Sequence, residues 1–304
     1  MFTLIGIALV FAAVMGGYLL EKGNPYVLLQ PAELLIVGGS ACGIVLIANP
    51  PAVIGKIVKS IRSIFSPPLY RSHQSFLGSL CLVYELLSYA QRAGMAALEP
   101  EVEEPKSGKI FPNHPEVLKD ELTLGFLCDS LRMLVIGATT PNELDHLMDL
   151  DIETQRRGNH EPVSALSSIA DALPGLGIVA AVLGVVITMQ AIGGSPETVG
   201  EKVAAALVGT FLGILLCYGV VGPTASRLDS MAQAQTQYLQ VLRTAIVAFA
   251  KGSAPILALE YGRRSIPIEY RPSFADMETT IRRNAKIPAM ADPNKEQNAT
   301  FVSA

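Results

Sequence analysis

The chain has 304 residues, half of them apolar and 16% charged, and its mean hydropathy of +0.39 points toward the membrane. A formal net charge of −4 gives no basis for nucleic-acid binding. Four cysteines, Cys42, Cys81, Cys128 and Cys217, lack paired metal spacing and read as buried small residues rather than disulfides or a metal site.

Four stretches are long and nearly uncharged: Phe2 to Leu20, Leu34 to Ala52, Ala172 to Ala191 and Val203 to Gly222. Each approaches the ~20 residues that cross a hydrocarbon core of about 30 Å. One alone would pass for a buried helix, but four in two close pairs predict crossings. No basic residue precedes the first and a second follows at once, so it reads as a retained span rather than a signal peptide. Lys56, Lys59 and Arg62 follow crossing two, and Arg227 follows crossing four. Basic flanks face the cytoplasm, which turns both short loops outward and both termini and both long polar regions inward. The predicted fold class is an all-α polytopic membrane protein with a large helical cytoplasmic domain. Its parts are a crossing hairpin over 1–53, a helical cytoplasmic domain over 54–167, a second crossing hairpin over 168–223, and a cytoplasmic helix with a polar tail over 224–304.

In the cytoplasmic domain, "QSFLGSLCLVYELLSYAQRAGMAALE" and "PEVLKDELTLGFLCDSLRMLVIGAT" place apolar residues at helical spacings. Thr140 is the expected N-cap of the next helix, with Pro141 in the first helical position and Glu143 completing a capping box. Glu99, Glu101, Glu103 and Glu104 make an acidic turn with Arg92 before it, either a solvated surface or an electrostatic docking patch. One more helix runs from Thr224 to Ala250, and the polar end is expected to fray.

The crossings carry no Asp, Glu, Lys, Arg or His in their interiors; Glu33 is placed at the external mouth and Asp171 at the internal one. A proton relay through hydrocarbon normally uses an ionisable group, so the carrier is expected on another chain. Ala180, Gly184 and Thr188, and Ala205, Gly209, Gly213 and Cys217, recur every four residues and let helix backbones approach. Thr210 either bonds its own helix or faces an ion path. Pro174 and Pro223 read as lying at matched depths near the inner mouth, as hinges or as helix boundaries. A solute transporter would place polar groups or broken helices at the midplane, and no phosphate loop, zinc spacing or nucleophile motif marks an enzyme.

The sequence resembles the MotA family of flagellar stator subunits, of the MotA/TolQ/ExbB proton channels, in its proton-driven enterobacterial-like type. The likeness runs from "YLLEKGNPYVLLQPAELLIVGG" to "EYGRRSIPIEYRPSF" and is most specific in "LPGLGIVAAVLGVV" and "ALVGTFLGILLCYGVVGP". It implies a non-enzymatic inner-membrane stator subunit without a cofactor, in a ring of five such chains around two copies of a MotB-type partner. That partner brings an essential membrane aspartate and a peptidoglycan-binding domain. The resemblance gives Pro174 and Pro223 the coupling of proton transfer to conformational change and sets Thr210 beside the partner's aspartate; Asp171, one turn before Pro174, either collects arriving protons or solvates the helix end. Sodium-driven relatives carry threonine where Ala181 stands; alanine offers no oxygen to a hard cation, which favours H+ over Na+. Contact with the rotor protein FliG is implied for Glu99 and an upstream arginine. The family's arginine position is Gln91 here, so Arg92 is taken in its place, and Asp151 stands where relatives tend to carry glutamate. The related energisers of outer-membrane transport, TolQ and ExbB, lack the hairpin from Phe2 to Ala52.

Overall fold

The structure, a computed structural model, describes residues 2–65, 70–137, 139–190, 193 and 195–284, and the regular structure among them is helical. Crossing one is α1 (Phe2–Leu20), with the bounds its apolarity predicts. A single turn, α2 (Pro25–Leu28), follows, capped by the Asn24 side chain, which accepts from the Tyr26 amide. Crossing two is α3 (Pro31–Ala48), offset from the expected Leu34 to Ala52. Pro31 takes the first helical position, and Pro50 forces Asn49 into an extended conformation, so the helix stops and α4 (Pro51–Ser63) begins anew.

The next elements are α5 (His73–Ala93), α6 (Glu99–Glu103), α7 (Pro115–Leu118) and α8 (Glu121–Ile136). Then comes α9 (Pro141–Met189), one helix of 49 residues. Its capping box is as expected: the Glu143 carboxylate accepts from the Thr140 amide at 2.7 Å, and the Glu143 amide donates to the Thr140 hydroxyl at 3.3 Å. Crossing three is the end of this helix rather than a separate element, with Pro162 and Pro174 inside it. Crossing four is α10 (Pro196–Leu216), which passes through a π-helical turn at Cys217–Val221 into α11 (Gly222–Ala250). The chain continues through α12 (Pro255–Ser265) and α13 (Phe274–Asn284). The expected fraying of the last residues lies outside the described residues.

The backbone divides into two units, residues 1–67 with 156–233 and residues 68–155 with 234–304. The first holds the crossings. Val37 and Ala41 of α3, Leu173 and Ala180 of α9, and Cys217 form one of its cores. Ile57 and Ile64 of α4, Val163 and Leu166 of α9, and Ala225 and Leu228 of α11 form another. Its crossings leave large apolar side chains such as Leu9, Leu35 and Val182 exposed, as helices bounded by lipid or neighbouring chains do. Cys81, Cys128 and Cys217 are buried as expected, but Cys42 is exposed, because α3 turns that face away from α9 and α10. In the second unit, Leu80, Leu86 and Leu87 of α5, Phe126 and Leu131 of α8, Leu144 and Met148 of α9, Leu239 and Leu242 of α11 and Leu259 of α12 close a single core. Beside it, bonds from Arg263 and Arg264 hold the Glu260 carboxyl down to about 2.

In the first unit α9 and α10 meet along a seam of small residues. A Cβ on Gly213 would stand 2.5 Å from the Leu173 carbonyl oxygen and 3.0 Å from the Gly177 Cα. One on Gly184 would stand 2.6 Å from the Ala206 Cβ. Gly213→Val therefore forces backbones apart, at an expected cost of about 1–3 kcal/mol. The yield of inserted, detergent-extractable protein should fall for this variant, whereas Gly6→Ala, where nothing lies within 4 Å, should match the parent chain. Equal yields for both would show that the seam does not set the spacing.

Candidate functional site

The seam fixes where the expected ion-path residues stand. A Cβ on Gly177 would lie 3.2 Å from the Thr210 Cα, and one on Gly209 would lie 3.2 Å from the Ala181 amide nitrogen. Ala181 and Thr210 thus share one level of the α9–α10 pair, and both are half-buried. Thr188 and Thr224 return their hydroxyls to the Gly184 and Val220 carbonyls, at 2.8 and 2.6 Å. Thr210 has no such back-bond among the described residues, which leaves its hydroxyl available to another partner.

Both prolines lie inside continuous helical backbone, so the boundary reading is overturned for each. Pro174 has no N–H for the Ala170 carbonyl one turn earlier. Pro223 would withhold the same donor from Gly219, and the backbone answers with the π turn, in which the Gly222 amide bonds the Cys217 carbonyl five residues back. Glycine is required there, since a Cβ on Gly222 would stand 2.8 Å from that carbonyl oxygen. The prolines are not at matched depths. The contacts of Leu173 and Gly177 with Gly213, and of Ala180 with Gly209, set the antiparallel register. They bring Pro174 opposite Gly213 and Ile214, about two and a half turns, or roughly 14 Å, from Pro223. The start of the π turn lies about one turn closer to Pro223, level with the Ala170 carbonyl that Pro174 leaves unpaired. Asp171 is exposed one turn before Pro174.

Glu33 does not sit at a solvent-filled mouth. It is 6% exposed, and its Oε2 has no hydrogen-bond partner. Its oxygens occupy the space that side chains on α9 and α10 would fill: a Cβ on Gly209 would be 2.7 Å from Oε2, and one on Gly184 would be 3.5 Å from Oε1. The sequence hides this because the cradle is made by two glycines more than a hundred residues away.

In the second unit Arg92 lies in the last turn of α5, exposed, its Nε donating to the Ser88 carbonyl at 3.2 Å. Gly94, at φ 89°, ends that helix, and a 3-10 turn over Met95–Leu98 leads to Glu99, the first residue of α6. The four acids of the turn have separate tasks. Glu101 is buried, accepting from the Lys109 and Ile110 amides at 2.5 and 3.1 Å. Glu103 pairs with Arg132 at 2.8 Å, and Glu104 accepts from the Ser107 hydroxyl at 2.9 Å. Glu99 is exposed and makes no hydrogen bond or ion pair with the described residues. Asp151, on α9, accepts from Gln155 of its own helix at 3.1 Å, while its neighbours Asp145 and Asp149 bind Arg243. No bond among the described residues joins Asp151 to Arg92 or Glu99.

Residues 4–94 match the family model "Motility protein A N-terminal", and residues 119–241 match "MotA/TolQ/ExbB proton channel family". The chain is 35% identical to motility protein A of Salmonella typhimurium over 297 residues, 98% of each chain. It is 34% identical to motility protein A of Escherichia coli over 282 residues, 93% of this chain and 95% of that one. Its fold is that of the chain in the MotAB structure of C. jejuni, with a TM-score of 0.74 at 20% identity, covering 90% of this chain and 98% of that one. A chain of the flagellar MotAB stator complex from Bacillus subtilis gives a TM-score of 0.71 at 23% identity, covering 91% and 98%. The chain belongs to the MotA/TolQ/ExbB proton channel family, on its motility protein A branch.

Proposed function

We infer that the chain is a proton-conducting stator subunit, which with a MotB-type partner turns proton influx into flagellar rotation. The likeness to motility protein A along the whole chain, first hairpin included, carries this reading. That hairpin is what separates it from an energiser of the TolQ or ExbB kind. As a family member it is a non-enzymatic, multi-pass subunit of the bacterial inner membrane. The finer reading is a ring of five such chains around two partner chains, bearing on FliG through Glu99, Arg92 and Asp151. In this reading residues 1–53 and 168–223 form the membrane hairpins, the second lining the ion path, and residues 54–167 and 224–304 face the cytoplasm.

The coupling follows from hydrogen-bond accounting. A proton arriving on the partner's aspartate removes its charge and changes the bonds available to Thr210 and the nearby backbone. Pro174 leaves the Ala170 carbonyl without its helical donor, and the π turn begins beside that carbonyl. Bending there costs less than in a regular helix. Because α9 is one helix back to Pro141, a bend at Pro174 displaces its cytoplasmic part as well. Ala181 supplies no ligand for Na+.

Co-expressed with its partner in open form, the chain should acidify the cytoplasm; proton influx by the chain alone, or undiminished by loss of the partner's membrane aspartate, would refute the shared path. Pro174→Ala, which restores a bond to the Ala170 carbonyl, should pull down the partner normally yet lose most of the torque in a tethered-cell assay. Normal torque with intact assembly would make Pro174 a passive residue.

Glu99→Lys should abolish swimming while leaving insertion and proton influx intact, since reversing an exposed, unpaired charge acts on docking rather than on folding. Arg92→Glu should act likewise, and a motile Arg92→Glu strain beside a paralysed Gln91→Glu strain would move the contact to Gln91.

A further inference from the structure

The crossings are not free of ionisable groups. We propose that Glu33 is a proton-carrying group of this chain, receiving protons from the external side and passing them toward the level of Ala181 and Thr210. The proposal rests on the stator reading above.

Three observations carry it. The first is depth. Gly184 lies five residues inside the end of α9 at Met189, about 8 Å along the helix axis, so the carboxylate in its cradle reaches below the edge of the crossing although α3 begins only at Pro31. The second is its unmet bonding. Glu101 shows what a structural buried acid looks like in this chain: 3% exposed, with two backbone amides on its oxygens. Glu33 is 6% exposed, and its Oε2 has none. A buried carboxyl without donors adds little to cohesion, and an ionisable group within a crossing marks an ion path. The third is what surrounds it. Gly184 and Gly209 lie against its oxygens, with Ala206 and Ala180 beside them, and none of these offers a side-chain donor. No other titratable side chain lies on α9 between Asp171 and Met189 or on α10 between Lys202 and Cys217, and α3 adds only Cys42, which is exposed.

The transfer balances without a co-reactant. A proton from external water converts the Glu33 carboxylate to the neutral acid. Its release to the next acceptor, a water or the partner's carboxylate, restores the anion, ready for the next proton.

The test uses the complex with its partner in open form, with proton influx read by a cytoplasmic pH sensor and assembly by partner pull-down. Glu33→Gln keeps the shape but cannot carry a proton. Glu33→Met keeps the length and is easier to bury in the membrane, so it stays informative should the amide disturb assembly. Both assembled complexes should lose proton influx by about a hundredfold, the lower end of what a positioned proton-transfer group contributes. Glu33→Asp should recover part of it. A Gln or Met complex that assembles and conducts like the parent overturns the proposal. A parent complex that passes no protons, or that ignores loss of the partner's aspartate, refutes the stator reading instead.

Discussion

The contact on which the rest of the first unit depends is the backbone-to-backbone approach of α9 and α10. In lipid, no hydrophobic gain draws two apolar helices together, and closeness must come from shape. Gly177, Gly184, Gly209 and Gly213 supply it, each at a place where a single added carbon would meet the other helix. That approach brings Ala181 and Thr210 to one level and leaves the hollow that the Glu33 carboxylate fills. It also sets the register that stands Pro174 opposite Gly213, and the Ala170 carbonyl, rather than Pro174, opposite the start of the π turn. A chain with larger residues on this line would still have four crossings, but the groups that carry ions and motion would no longer be neighbours.

The two prolines solve one problem in different ways. In hydrocarbon an unpaired carbonyl has no water to turn to. At Pro174 the helix continues and leaves the Ala170 carbonyl short of its donor. Before Pro223 the backbone widens instead, and Gly222 reaches one residue further back to Cys217. The Ala170 carbonyl and the start of the π turn lie at one level of the helix pair, so the compliance of the two crossings is concentrated within about one turn. Elsewhere the first unit is tied by apolar contacts such as Ile57 and Leu166 with Leu228.

Much of the architecture is legible in the amino-acid order, because its causes are local. The span of α1 follows from an uninterrupted apolar run, and the start of α9 follows from Thr140, Pro141 and Glu143, which satisfy one another within a single turn. Prolines mislead, because single-chain rules treat them as stops, while a helix packed against neighbours passes through them. Glu33 and Glu101 show the other limit. Both look like surface acids in the sequence; one is buried by amides eight and nine residues away, the other by glycines from distant crossings, and no local pattern announces either. Glu99, Glu103 and Glu104 all stay exposed, and of the three only Glu99 has no partner among the described residues.

The π turn also has a consequence for angular phase. Each residue of an α-helix advances about 100° around the axis, and a π turn holds one residue more than the α-helical span it replaces. The seam face of α10 and the Ala225–Leu228 face of α11 are therefore in step for a chain one residue shorter than this one. Removing one residue from within Cys217–Val221 would keep both faces on their cores and close the widened turn, bringing the ring of Pro223 against the carbonyl now one turn behind it. The same removal anywhere else in α10 or α11 would rotate all that follows by about 100° and turn Leu228 away from Ile57 and Leu166. The extra residue acts as a phase correction, held at the one place where the chain can lose it without losing its alignment.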